Sequence, residues 1–257
     1  MILDYKDTSV FYTDQGHGTP IVLLHGFLEN SFMWQRLTPE LIKTKRVITL
    51  DLLGHGQTGC LGYIHSMELM AEVVHAVLVH LKIDTCLCIG HSMGGYVALA
   101  FAEKFPDMVL GLCLANSTSK ADSAERKTNR TRAIKAVKQN HRAFVSMAVT
   151  NLFAIKNQSL LSDDILVVKK EALKTPLQGI VSALEGMKIR PDRSDILKNS
   201  TFKKLMIIGR NDTVIQFDDL VEEAKKTNTN FVIFPDGHMS YIENESLFLH
   251  EIVRFIE

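Results

Sequence analysis

Short, nearly unbroken apolar runs punctuate the chain at Ile21–Leu24, Arg46–Leu50, Cys86–Ile89, Val109–Ala115, Leu205–Ile208 and Phe231–Phe234. Each is bounded by turn residues and lacks polar alternation, the pattern of strands covered on both faces of a parallel sheet. Between them, apolar residues recur at helical spacing over Glu68–Leu81, Met93–Phe105, Asp219–Lys226 and Leu247–Ile256. The opening runs "ILDYK" and "SVFYTD" alternate instead, which predicts an antiparallel pair at a sheet edge. Strands alternating with helices require right-handed crossovers, so the expected fold is α/β with a doubly wound, mostly parallel sheet.

One interval breaks that rhythm. Residues 117–196 contain no convincing strand, only helical patterns. Ile134, Val137, His141, Phe144 and Ala148 share helical spacing, "SDDILVVKKEALK" opens with capping residues, and Pro176 suits a first helical position after Thr175. An excursion of that length is too long for a plain loop. It predicts a helical cap (117–196) inserted between two late strands of a core domain formed by 1–116 and 197–257. Such a cap would lie over the strand ends where α/β proteins bind ligands.

Composition narrows the setting. Lys plus Arg and Asp plus Glu are both 29 in 257 residues. That balance gives no electrostatic reason to expect nucleic acid or an anionic membrane as partner. The first residues carry acids where a secretion signal needs a basic start, and no run is long enough to span a bilayer. Of the four cysteines, none forms a C-x-x-C pair. Cys86 and Cys88, two apart on one predicted strand, are expected on opposite faces. The expectation is small buried thiols in a cytoplasmic protein. Oligomeric state is not legible.

"GHSMGG", residues 90–95, joins the strand before it to the helix after it. Its first five residues match G-x-S-x-G, in which glycines allow a tight strand-to-helix turn and the serine oxygen stands exposed. Ser92 is therefore the candidate nucleophile. A serine needs a base, and the base an orienting acid, in the chain order serine, acid, histidine for this kind of fold. "KLMIIGRNDTVI" offers Asp212 after one late strand, and "GHMSYIE" offers His238 before the last helix. His25 and His55 lie upstream of Ser92, the His91 side chain should diverge from its neighbour, and His141 falls on an apolar helix face. Asp51 suits loop bracing, Asp236 is too near His238 to orient its ring, and Asn116 lacks a carboxylate's charge. For the oxyanion, "IVLLHGFLENSFMW" runs a strand into a loop whose Phe27 amide, with Leu28 as alternative, would join the Met93 amide. Trp34 reads as helix packing.

"HGF", "DLLGHG", "GHSMGG", "GRND" and "GHMSYIE", in this order, resemble the α/β-hydrolase superfamily over the whole chain outside the cap. Within it, the chain looks like small cytoplasmic esterases and enol-lactonases similar to oxoadipate enol-lactonase. "GMKIRPDRSDIL" at the cap exit is similar to a Gly-Met-x-x-Arg-Pro-Asp stretch of that group. The resemblance implies Ser92 as nucleophile, Asp212 as acid, His238 as base, and the Phe27 and Met93 amides as oxyanion donors. Dehalogenases and epoxide hydrolases carry aspartate at the nucleophile, so those chemistries do not fit. Met239, where carbon–carbon bond hydrolases often carry tryptophan, lowers that reading.

The expected activity is hydrolysis of a small carboxylic ester or lactone through an acyl-enzyme. A perhydrolase, a carbon–carbon hydrolase and a non-catalytic receptor remain the alternatives. No metal or organic cofactor is expected, because metal-ligand spacing and a dinucleotide glycine pattern are both missing. The first cap helix is crowded with Arg126, Lys127, Arg130, Arg132, Lys135, Lys138 and Arg142. A solvated face opposite the apolar stripe is expected, with an inward Arg126 or Arg130 holding a substrate carboxylate as the rival reading.

Overall fold

The computed structural model describes residues 1–257. The strands are β1 (Ile2–Tyr5), β2 (Thr8–Gly16), β3 (Pro20–Leu24), β4 (Arg46–Leu50), β5 (Cys86–His91), β6 (Val109–Ala115), β7 (Lys203–Gly209) and β8 (Asn230–Phe234). They form one eight-stranded sheet in the order β1-β2-β4-β3-β5-β6-β7-β8. β1 and β2 are antiparallel, as is β2 against β4, and every other pair is parallel. The alternating opening segments thus form the edge, and the continuous apolar runs form the interior. β5 is buried along its whole length, the environment that its unbroken apolar pattern requires.

After the short α1 (Thr38–Leu41), α2 (Met67–His80) and α3 (Met93–Lys104) cover the sheet. Between β6 and β7 lie α4 (Ala124–Gln139), α5 (His141–Thr150), α6 (Ser162–Ala172), α7 (Leu177–Ile189) and α8 (Ser194–Asn199). The chain closes with α9 (Phe217–Lys226), α10 (Ser240–Glu243) and α11 (Glu245–Ile256). Chain direction along the sheet reverses at β3, which is flanked by β4 and β5. The crevice at the carboxyl ends of β3 and β5 is therefore a topological switch point, the usual ligand position in such sheets.

Local details depart from the expectations. The helical stripe through Ile134 and Ala148 is two helices, because Asn140 leaves helical geometry (φ −151°, ψ 89°) and its side chain caps α5 at the Ala143 amide. A strong capping residue won over the apolar spacing. Ser162 is already inside α6 and makes no capping bond, and Pro176 precedes α7 in an extended conformation. Cys86 and Cys88 share a face, with sulfurs 3.7 Å apart. A strand's two-residue period returns i+2 to the same side, so the opposite-face expectation is wrong. Trp34 is fully buried in a 3₁₀ turn, Ser31–Arg36, and serves packing.

The α4–α8 excursion docks on the core through glycines. A Cβ at Gly179 would overlap the Gly54 carbonyl, and one at Gly186 would overlap the His65 carbonyl. Two glycines two turns apart on α7 thus let backbone meet backbone. Arg193, nearly fully buried, ties the end of the excursion to Glu103 (2.9 Å) on α3 and to Glu68 on α2.

Candidate active site

The serine turn is built by steric exclusion. A Cβ at Gly90 would overlap the Gly94 backbone, and one at Gly94 would overlap the Leu24 carbonyl of β3. Only glycines let α3 start this close to both strands. Ser92 sits between them at φ 50°, ψ −115°, a region that non-glycine residues rarely adopt. Its own N–H donates to the Ala115 carbonyl at 2.9 Å, fixing the turn to β6.

Loops after β7 and β8 bring the other two residues to that turn. His238 Nε2 lies 2.9 Å from Ser92 Oγ, and Nδ1 lies 2.8 Å from Asp212 Oδ2. An acceptor-only carboxylate places the proton on Nδ1, leaving the Nε2 lone pair facing the serine hydroxyl. Asp212 Oδ1 accepts from the Val214 (2.7 Å) and Ile215 (3.0 Å) amides, and Oδ2 accepts from Asn116 Nδ2 at 3.0 Å. Burial alone would raise this carboxyl, but the His238 ring, Asn116 and the main-chain donor outweigh it and hold Asp212 below the usual range.

Asn116, the rival candidate for the acid, braces Asp212 instead. At φ 46° it ends β6, donates to Asp212 and to the Gly237 carbonyl (3.1 Å), and accepts from the Ser240 hydroxyl. Asp236 pairs with Lys156 (2.7 Å) and Asn244 (2.7 Å), away from His238. Asp51 takes the Ser31 and Gln57 amides and so braces two loops. His25 spans the Gly26 carbonyl and the Leu52 amide, and burial lowers its pKa. Burial pushes His55 down to about 3, and His141 meets the Thr175 carbonyl at 3.0 Å. None of these groups reaches Ser92.

The loop after β3 supplies the amides. Gly26 N–H is committed to Glu29 Oε2 at 2.6 Å, whereas the Phe27 and Leu28 N–H groups make no bond within the chain. Met93 opens α3, where the first amides have no intrahelical partner. Both Phe27 and Leu28 therefore remain available as the loop's donor.

Glu29 and His91 are the residues that the sequence reading missed. His91 points away from Ser92, as expected, but into a buried network. Its Nδ1 lies 2.8 Å from Glu29 Oε2, its Nε2 lies 2.9 Å from the His238 carbonyl, and Tyr241 donates to Glu29 Oε1 at 3.0 Å. A Cβ at Gly26 would run into Glu29 and His91, which explains the glycine in "HGF".

The cavity over Ser92 and His238, about 90 Å³, is roofed by α4, α5 and α7 through Arg126, Arg130, Ala148 and Met187. Arg126 and Arg130 turn partly inward rather than lying on a solvated face, their side chains 33% and 14% exposed, which corrects that expectation for these two. Asp122, fully buried, draws them in. Arg126 Nε lies 3.3 Å from Asp122, Arg130 grips it through Nε and Nη2, and Arg190 Nη1 reaches it at 2.6 Å. Arg126 also donates to the Val214 carbonyl at 2.7 Å, and Arg190 stacks 3.9 Å from the Tyr96 ring centre. Burial opposes ionisation of Asp122, but Arg130 and Arg190 hold its carboxyl below the ordinary range. The signal was present in the sequence. Arg126, Arg130, Ile134 and Val137 fall on one helical stripe, so the two arginines continue the buried face of Ile134 and Val137.

No group of three or more His, Cys, Asp or Glu is arranged to hold a metal ion, and no helix is long and apolar enough to cross a membrane. The alpha/beta hydrolase fold family matches residues 19–245. A dihydrolipoyllysine-residue acetyltransferase component of an acetoin cleaving system from Pseudomonas putida is 28% identical over 93% of this chain, and the chain spans 64% of that protein's length. A thermophilic esterase from Thermogutta terrifontis, solved with malate bound, superposes with a TM-score of 0.91. It is 29% identical over 97% of this chain and 93% of its own. The enol-lactonase of Burkholderia xenovorans LB400 superposes with a TM-score of 0.92 at 22% identity, over 100% and 99% of the two chains, a likeness of fold.

Proposed function

The chain belongs to the alpha/beta hydrolase fold family, and from that premise we propose that it is a serine hydrolase of small carboxylic esters or lactones, working through an acyl-enzyme. The observation that carries this reading is the unbroken line from Asp212 through His238 to Ser92, ending in a partly open cavity beside free amides. Likeness to an esterase over nearly the whole chain supports it.

In this reading His238 takes the Ser92 proton as Oγ attacks the ester carbonyl carbon. The amide of Phe27 or Leu28 and that of Met93 hold the tetrahedral oxyanion, and His238 returns the proton to the leaving alcohol. Water, deprotonated by the same ring, then attacks the acyl carbon. The acid leaves as Ser92 regains its proton. In a lactone the leaving alcohol stays attached to the acyl chain, and the second step releases a hydroxy acid. The four unpaired thiols suit a reducing compartment, so we place the protein in the cytoplasm.

The roof supports a finer reading, in which the preferred substrate carries a carboxylate. Three guanidiniums share one buried carboxylate, and two of them line the cavity. Their excess positive charge in a partly dry site favours an anionic group, and a planar guanidinium matches a carboxylate. Turnover of a nitrophenyl acetate tests the basic reading, with and without hydrogen peroxide. Hydrolysis abolished by Ser92→Ala is expected. No turnover would favour a receptor, and a peracid formed faster than acetate would favour the perhydrolase.

A further inference from the structure

We infer that Glu29 and His91 form a buried ion pair that positions the oxyanion loop and the His238 main chain around Ser92. The pair goes beyond the proposed chemistry and uses residues outside the serine–histidine–aspartate line.

Proton accounting on the neighbours leads there. The His238 carbonyl can only accept, so the His91 nitrogen 2.9 Å away, Nε2, carries a proton. At the other side of the ring, Nδ1 meets Glu29 Oε2 at 2.8 Å. That oxygen already accepts the Gly26 N–H at 2.6 Å, and Oε1 accepts the Tyr241 hydroxyl at 3.0 Å. A carboxylate surrounded by donors is best satisfied ionised, with the second proton on His91 Nδ1. His91 is then an imidazolium donating on both sides. Both side chains are almost completely buried, 1% and 3% exposed, where an unpaired charge would be untenable.

The electrostatic surroundings agree. Burial would lower His91, but Glu29, the His238 carbonyl and Asp212 outweigh it and raise it above the ordinary imidazole value. Burial would raise Glu29, but His91, His25 and the Gly26 amide outweigh it and lower its carboxyl. The other titratable groups facing the pair are the His238 ring, 5.2 Å from the His91 ring centre, Tyr241, at 5.5 Å, and His55 on the Glu29 side.

The pair joins three pieces that the fold delivers separately. Glu29 holds the loop after β3 by the Gly26 amide, His91 belongs to the serine turn, and the His238 carbonyl belongs to the loop after β8. If His91 loses its Nδ1 proton, a lone pair faces a carboxylate and the clamp opens. The turnover step should therefore weaken as pH rises through the His91 pKa.

The test begins without substrate. Nitrogen-15 NMR of the ring-labelled protein at pH 7 should show His91 protonated at both nitrogens, and a singly protonated ring would overturn the assignment. Glu29→Gln keeps the shape and removes the charge. Its kcat for a simple ester should fall roughly 10- to 100-fold, as expected for misplaced reacting groups. KM should stay within about twofold, because the Glu29 carboxylate is taken up by Gly26, His91 and Tyr241. The alkaline limb of kcat should move to lower pH, because His91 loses the partner that keeps it charged. Wild-type kcat and an unmoved limb would show that the pair is only structural filling. Should Glu29→Gln fail to fold, Tyr241→Phe removes one donor alone. It should reduce kcat in the same direction while His91 stays protonated at both nitrogens at pH 7, and wild-type kcat would count against the pair.

Discussion

On the core side of the cavity each buried carboxylate faces one histidine, Asp212 with His238 and Glu29 with His91. On the helical side a single buried carboxylate, Asp122, faces Arg126, Arg130 and Arg190. The core side is balanced and closed, and its groups have partners in the chain itself. The helical side carries surplus charge, and the buried Arg190 Nε has no partner. A balanced set fixes geometry, whereas an unbalanced one waits for something to complete it. In the proposed reading, chemistry belongs to the first region and substrate choice to the second.

The largest effects should come from the balanced side. Ser92→Ala should bring ester turnover to background with the fold intact, since the site is partly open and alanine is smaller. Asp212→Asn should cost roughly 10³- to 10⁴-fold in kcat, as when serine proteases lose the charge on their acid. Asp236→Asn should leave activity near wild type, because Asp236 serves Lys156 and Asn244. Steady-state rates on one neutral ester check all three. A dead Asp236→Asn beside an active Asp212→Asn would reverse the acid assignment.

The two regions also differ in how far the sequence revealed them. The strands showed because burial on both faces leaves an unbroken apolar run, and Ser92, Asp212 and His238 follow strand ends in a fixed order. Glu29 and His91 did not show. A buried charge pair has no periodic signature, and a polar residue beside a motif looks like loop. Asn116 stands out by its position at the end of β6, but its role depends on where a side-chain amide points. The arginines are visible in the sequence, but charge on a helix is usually solvated, and the pattern alone does not choose between an outward and an inward Arg126 or Arg130. Asp122, just before α4, reverses that rule by offering a buried carboxylate to the same stripe. The Asn140 break escaped because apolar spacing continued across it.

A smaller effect should expose the surplus on the helical side. Replacing Arg126 and Arg130 together by alanine should raise KM for an ester bearing a carboxylate roughly tenfold, the scale of losing one charged hydrogen-bonded contact. KM for the neutral isostere should change less than about twofold, because no charge is lost from that complex. Equal losses on both substrates would mean that the arginines merely hold the roof in place.

pH separates the regions by sign. Asp212, Glu29 and Asp122 have depressed carboxyls in the folded chain. Their stability is complete above the ordinary carboxylate range and is lost as pH falls through the depressed values. His91 is raised, so its contribution is complete below the ordinary imidazole range and is lost as pH rises through its folded value. Both regions should loosen in acid, but only the core side should loosen in mild alkali. The melting temperature of Glu29→Gln should therefore lose its decline on the alkaline side while keeping an acid decline from Asp122 and Asp212. An alkaline decline that survives in Glu29→Gln would place its origin elsewhere.

The smallest effect concerns charge that lies on α4 but faces solvent. Lys127, Lys135 and Lys138 are exposed, and exposed charges act mainly through a field that salt screens within about 10 Å at 0.1 M. Reversing Lys135 and Lys138 to glutamate should change KM for either ester by less than about twofold at physiological salt, with at most a modest slowing of anionic-substrate capture at low salt. A contact pair in the cavity should keep most of its preference for the anionic ester as salt rises, because partly buried pairs are screened much less than exposed ones. If the outer reversal instead abolishes that preference, and salt does the same to the wild type, selection is long-range steering by the whole helix. The inward turn of Arg126 and Arg130 would then concern only the docking of α4 on Asp122.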